Sequence, residues 1–308
     1  MQSLFCVLYG AGKVRFENRP IPTIDDPQLV LINVAFVGVC GNDPLVMGHE
    51  ASDVVHAVGS AVTTVKPNDR VAMEPGFACR RCRYCKSLTR IYKLPEDFVF
   101  KIPSPLSLEE AGLLEPLSVA AQANRLPEPV TGRRILALRP ATIGLLSAAV
   151  ARDFAAIEIH VAYINEQKLM FAKGFWATLR SSLAFRGTGF GVVLECTGVE
   201  SPIQTGMVGK CIQAFPLMAV GEKELSIKGG FRYGAGDHDL GLDLLTSEKA
   251  DVIPLISDIV PFESTLKACE MTARGDGIKN LIRVCSTDWD TQCVEVEGPQ
   301  ASRAGPFK

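Results

Sequence analysis

The sequence lacks any apolar run long enough to span a bilayer. The longest candidate, Ile143 to Ala151, is interrupted by Ser147 and reads as a buried helix. It lacks an excess of either charge: 32 Lys and Arg against 34 Asp and Glu give a net charge of −2, so a broad basic surface for nucleic acid is not expected. The N-terminal stretch has no basic n-region and no small-residue cleavage site, so a secretory signal is not expected and the chain reads as cytoplasmic. Internal repeats and low-complexity tracts are missing as well. What remains is the composition of a folded protein, 47% hydrophobic and 21% charged over 308 residues, which excludes a disordered or collagen-like chain and leaves room for two domains.

Cysteine is too sparse for a disulfide scaffold, ten in all, but three of the ten are clustered. Cys79, Cys82 and Cys85 form a C-x-x-C-x-x-C run, a spacing that suits metal better than disulfides. A structural zinc wants four ligands, and after the cluster the next cysteine is Cys196 and the next histidine His160. Two readings stay open, an incomplete zinc site and a reduced basic loop carrying Arg80, Arg81, Arg83 and Lys86 without metal.

The first third reads as β-rich. Leu29 to Val37, Asp53 to Val58 and Arg70 to Met73 are strand patterns punctuated by Gly and Pro, which suggests a small barrel. A helix is expected over Ser107 to Ala123, opened by a capping box of Ser107 and Glu110. Strands then alternate with helices: Ile135 to Leu138, Ile143 to Phe154, Ile157 to Ala162, Glu166 to Lys173 and Gly191 to Cys196. That alternation predicts a parallel sheet with right-handed crossovers. Phe215 to Val220 and Leu225 to Lys228 follow, then helices near Asp239 to Ser247 and Glu263 to Ala273, and a strand at Asn280 to Val284. The polar tail from Ser286 is expected to be disordered.

Cys40, His49 and Glu50 supply a thiolate, an imidazole and a carboxylate, the ligand types of a catalytic zinc, provided a loop folds back to join them. Singly, each has an ordinary reading as a core cysteine or a surface turn. Glu115 lies in the apolar stretch Leu113 to Leu117, where an isolated carboxylate is costly to bury unless paired or metal-bound. A dinucleotide turn after Leu138 calls for G-x-G-x-x-G, and the chain has Arg139-Pro140-Ala141-Thr142-Ile143-Gly144, keeping only the last glycine. Tyr163 stands where an acid is expected to hold the ribose hydroxyls.

Taken in order, G-V-C-G-N-D, M-G-H-E-A, E-E-A-G-L-L-E-P-L-S-V, L-E-C-T-G-V-E-S-P and K-G-G-F-R-Y-G resemble the zinc-dependent medium-chain dehydrogenase/reductase family, polyol (sorbitol, xylitol, L-arabinitol) dehydrogenase group. The resemblance implies an α/β chain with a GroES-like β-barrel catalytic domain (1–124 and 232–285), a shortened, doubly wound Rossmann parallel sheet (125–231) and a disordered tail (286–308). It implies a catalytic zinc on Cys40, His49 and Glu50 with Glu115 beside or on the metal. Ile143, Gly144, Tyr163 and Arg232 would line the site of NAD, or of NADP, and Phe231, Arg232 and Tyr233 the cleft for a small-molecule polyol. A homo-oligomer without nucleic-acid or membrane partners is expected. The chain departs from the family in a short link, Pro44 to Met47, between the first ligands, in the missing fourth cysteine, in the replaced glycines, and in apparent shortening at 178–189 and 203–210. An inactive or truncated remnant without productive cofactor binding is therefore the alternative to an active polyol dehydrogenase.

Overall fold

The computed structural model describes residues 2–10, 13–40, 48–74, 87–127, 130–175, 189–196 and 217–285, and among them the strands form three sheets. The first strands are β1 (Gln2–Gly10), β2 (Lys13–Pro20), β3 (Leu29–Gly38), β4 (Ala51–Val58), β5 (Arg70–Met73), β6 (Ser87–Thr89), β7 (Ile91–Pro95) and β8 (Val99–Lys101). β1 pairs with β2 and β6 in a small antiparallel sheet. The near-continuous apolar run of β3 fits a strand covered on both faces. One of its edges pairs with β4, while β7 takes Leu29 to Asn33.

The expected helix is two helices, α1 (Leu108–Ala111) and α2 (Leu114–Arg125). The capping box forms as predicted: Ser107 Oγ accepts the Glu110 N–H at 3.1 Å and Glu110 Oε2 accepts the Ser107 N–H at 2.7 Å. The break at Gly112 and Leu113 explains Pro116. The proline sits in the first turn of α2, where a backbone N–H has no intrahelical acceptor to lose.

The alternating segment gives β9 (Arg134–Leu138), α3 (Thr142–Asp153), β10 (Glu158–Ala162), α4 (Glu166–Phe175) and β11 (Val192–Glu195). Their strands form a parallel sheet of order β10-β9-β11, three strands among the described residues. Leu217–Glu222 is a short helix, α5, and residues 225–228 join no strand. The remaining elements are α6 (Asp237–Thr246), β12 (Ile256–Pro261), α7 (Thr265–Arg274) and β13 (Lys279–Arg283).

β13 pairs antiparallel with the far end of β3, and β12 pairs parallel with β13. β12 was not legible, because Ser257 and Asp258 interrupt its pattern. Ser257 Oγ accepts the N–H of Ile278, next to β13, and Asp258 Oδ1 accepts the N–H of Ile259. The large sheet runs β12-β13-β3-β4-β5-β8 and does not close among the described residues, a correction to the barrel expectation. β12 ends at Pro261, which has no N–H for a further strand. One core cluster joins Ala35 and Phe36 of β3 to Leu114 and Leu117 of α2 and Leu145 and Leu146 of α3, so the antiparallel and parallel parts share buried surface.

Candidate metal centre and dinucleotide turn

The β3–β4 register builds the first site. Val37 faces Ala51, and the Gly38 N–H donates to the Glu50 carbonyl at 2.7 Å. Two residues beyond β3 stands Cys40, and immediately before β4 stand His49 and Glu50. An antiparallel pair thus folds residues nine apart in sequence onto one spot. Their ligand atoms all lie within 4.8 Å of one another, with His49 Nε2 and Glu50 Oε1 4.0 Å apart. His49 and Glu50 are buried and Cys40 is half-buried. A sulfur, a nitrogen and a carboxylate oxygen so close together fit one tetrahedral zinc with a position left open.

Glu115 is also buried, in the first turn of α2. Burial pushes its pKa up to about 7, against the downward pull of His49 and then Arg232. Arg232, held at φ +55°, therefore lies near the site. Tyr233 is raised mainly by burial and next by the charge of Glu115. Its ring meets that of His238 edge-on at 4.4 Å, and His238 stacks on Phe100 at 5.1 Å. Of the predicted substrate residues, Phe231 points outward, 66% exposed, with the Arg232 guanidinium 5.8 Å from its ring centre.

Sequence reasoning missed Lys279. It is 3% exposed, forms an ion pair with Glu50 Oε2, and donates from Nζ to the Val39 carbonyl at 3.3 Å. Burial pulls its pKa down to about 8, while Cys40 pulls upward. By taking Oε2, Lys279 leaves Glu50 Oε1 on the side of His49, as an outer partner orients a ligating carboxylate. The available signal was a lysine set among Ile278, Leu281 and Ile282. Gly38 is the second omission. A Cβ there would lie 2.1 Å from Glu50 Oε2 and 2.7 Å from Lys279 Cε, so only glycine lets the pair form.

The chain turns tightly between β9 and α3, where a dinucleotide turn was expected. Arg139 adopts φ +69°, and its carbonyl accepts the Ala141 N–H at 2.8 Å. Gly144 retains a packing role, since a Cβ would sit 2.0 Å from the Arg139 oxygen. Pro140 offers no N–H and Ala141 has spent its own, so the donors left for a pyrophosphate are those opening α3 at Thr142, Ile143 and Gly144. α3 has no side-chain cap and no acid in its first turn, which suits an anion. Thr142 Oγ1 donates to the Ile278 carbonyl at 2.8 Å, and the Val39 N–H donates to the Asn280 carbonyl at 3.0 Å. Residues 278–280 therefore touch both the opening of α3 and the metal centre. Tyr163, half-buried, directly follows β10 at the carboxyl end of the sheet. Cys79, Cys82 and Cys85, the 44–47 link, the stretches 178–188 and 203–210 and the tail lie outside the described residues.

Residues 26–104 match the alcohol dehydrogenase GroES-like domain family. A protein of Aspergillus terreus named probable D-xylulose reductase A is 37% identical over 345 aligned positions, covering 91% of this chain and 98% of that protein. Those aligned positions outnumber the 308 residues here, so the relative carries segments with no counterpart in this chain. Among solved structures, an Escherichia coli oxidoreductase/dehydrogenase of unknown specificity superposes with a TM-score of 0.81 at 26% identity, covering 93% of this chain and all of that one. Galactitol-1-phosphate dehydrogenase from Escherichia coli superposes with a TM-score of 0.77 at 24% identity, covering 92% and 100%.

Proposed function

This chain belongs to the zinc-dependent medium-chain dehydrogenase/reductase family, in its polyol dehydrogenase group, and we propose that it oxidises a secondary alcohol of a small polyol of the xylitol or sorbitol kind to a ketose. D-xylulose, the ketose in the fungal relative's name, is what xylitol becomes on losing two hydrogens. Such an oxidation takes a hydride from the carbinol carbon and a proton from the hydroxyl, leaving a carbonyl. When bound, zinc supplies Lewis acidity at the alcohol oxygen and the dinucleotide a hydride acceptor. The observation that carries this reading is the convergence of Cys40, His49 and Glu50 within 4.8 Å.

The chain's own residues do the rest. Cys40, His49 and Glu50 hold the metal, and Lys279 fixes the carboxylate of Glu50. Glu115, buried beside them with a pKa near 7, holds a proton or releases it next to the reacting hydroxyl. Arg232 and Tyr233 offer donors to the other polyol hydroxyls, and Phe231 forms the rim. Ile143 and Gly144 present N–H groups to the pyrophosphate. On this reading residues 1–124 and 232–285 form the metal-bearing part and 125–231 the dinucleotide part. The working state is a cytoplasmic homo-oligomer acting on a small molecule. Among the described residues, the closeness of Cys40, His49 and Glu50 supports the active enzyme over the remnant.

The test uses the full chain. Zinc per chain and xylitol- or sorbitol-dependent dinucleotide reduction are measured for the natural protein and for Cys40→Ser. The variant is expected to lose one zinc and its turnover. Folded natural protein with no zinc and no turnover on either polyol would overturn the reading.

A further inference from the structure

We infer that His238 is a positioning residue for the polyol: wedged between Phe100 and Tyr233, its ring holds the Tyr233 ring in the cleft and so sets how tightly the substrate is held. The inference rests on the dehydrogenase reading above and adds to it a residue that acts through Tyr233.

A fastened loop brings the two rings together. Between Tyr233 and His238 the Gly234 N–H donates to Asp237 Oδ2 at 2.7 Å, and the Asp237 N–H donates to the Gly234 carbonyl at 3.2 Å. Asp237 is fully buried, and its other oxygen pairs with the Arg125 guanidinium at the end of α2. The same helix carries Glu115 in its first turn. α6 opens at Asp237, which puts His238 in its first turn. One turn on, Gly241 presses against α2, where a Cβ would lie 2.9 Å from Leu114 Cδ1. The segment from Gly234 to Gly241 is thus tied to both ends of the helix that bears Glu115.

The His238 imidazole is 2% exposed, and neither nitrogen has a hydrogen-bond partner among the described residues. Burying two unpaired nitrogens costs stability, a cost that phenylalanine here would avoid. Phe100 of β8 stacks on the ring with centres 5.1 Å apart and planes 26° apart, and Tyr233 meets it at 4.4 Å and 83°. Glu74, just beyond β5, places Oε2 3.8 Å from His238 Nδ1, outside hydrogen-bond reach. Burial pulls the His238 pKa down to about 4, so at neutral pH the ring is an uncharged aromatic spacer. Pairing of β8 with β5 fixes Phe100, and through His238 that fixed sheet edge reaches Tyr233. A phenol that serves a polyol hydroxyl needs such a fixed ring, because a misplaced donor loses its hydrogen bond.

Steady-state kinetics on the full, zinc-loaded chain test this. His238→Leu keeps the bulk and loses the flat ring, and the KM for xylitol or sorbitol is expected to rise about tenfold while kcat stays within about threefold. His238→Met takes its place if the leucine variant does not fold. Zinc content and dinucleotide affinity should not move. His238→Phe should bring KM back to within about threefold of the natural value. Tyr233→Phe should itself raise KM, and adding His238→Leu to it should change KM by less than about twofold, because one residue acts through the other. A second readout needs no turnover. The chain has five tyrosines, and with carbon-labelled tyrosine the NMR signal lost in Tyr233→Phe identifies Tyr233. That signal should shift in His238→Leu. A leucine variant with the natural KM, additive effects in the double variant, or an unmoved Tyr233 signal overturns this inference and leaves the dehydrogenase reading standing. Folded natural protein with neither zinc nor turnover overturns the reading beneath it as well.

Discussion

The candidate metal hairpin and the candidate dinucleotide turn are built in opposite ways. At the hairpin, side-chain identity does the work: a sulfur, an imidazole and a carboxylate are brought within 4.8 Å by an antiparallel register, and Lys279 and Gly38 fit around them. At the turn, backbone shape does the work. An arginine takes φ +69° where glycine would sit without cost, and the third glycine still packs against its carbonyl. A site made of donor atoms survives only if the atoms are present. A site made of N–H groups can tolerate replacement of its residues if the chain still turns the same way.

Removing a donor atom should therefore have the largest effect. Cys40→Ser is expected to cost zinc and on the order of 10³ in turnover, since metal stabilisation of developing charge is worth several kcal/mol. Zinc content and initial rates measure it, and a variant that keeps both would show that the hairpin is not the metal centre. Next comes Gly38→Ala. Its methyl would meet Glu50 Oε2 at 2.1 Å and Lys279 Cε at 2.7 Å, so the pair must shift. A loss of about 1–3 kcal/mol in a urea titration, typical of overpacking, should accompany weaker zinc retention under chelator. Unchanged zinc retention would separate Glu50 from the metal.

The same contrast explains what was legible. Cys40, His49, Glu50 and Glu115 were visible as residue types, and the strand before them as an apolar run. Lys279 was not, because its role depends on β13 pairing with the end of β3, some 240 residues earlier in the chain. β12 hid behind Ser257 and Asp258, whose side chains accept backbone N–H groups at Ile278 and Ile259. The split of the expected helix at Gly112 is a backbone event that helical spacing alone does not report, and with it the first-turn place of Pro116. The turn at Arg139 read as damaged because the pattern of glycines was missing. Its shape, set by a hydrogen bond from Ala141 and by the strand register, does not appear in residue types.

Asp53 tests whether the hairpin side is well made throughout. It lies in β4 between Val34 and Val71, fully buried, and neither carboxylate oxygen has a hydrogen-bond partner among the described residues. Burial raises its pKa well above the ordinary 3.8. The folded chain then keeps a proton that the unfolded chain loses above about pH 4, so this residue's contribution falls as pH rises from there toward the folded-state pKa. Asp53→Val should raise stability at pH 7 by about 1–3 kcal/mol, the range for an unsatisfied buried polar group. It should also flatten the decline between pH 4 and 7 in denaturant midpoints. An unchanged slope would mean the carboxyl finds a partner in solution.

Arg139→Gly carries the smallest expected effect and bears most directly on the comparison. A left-handed backbone costs a residue with a Cβ roughly 1–2 kcal/mol relative to glycine, part of which glycine gives back through its freer unfolded chain. A net gain of about 1 kcal/mol is expected, read as a higher urea midpoint. If the midpoint falls instead, contacts of the Arg139 side chain outweigh the strain. The turn would then be held by a side chain after all, as the hairpin is, and the distinction between the two sites would dissolve.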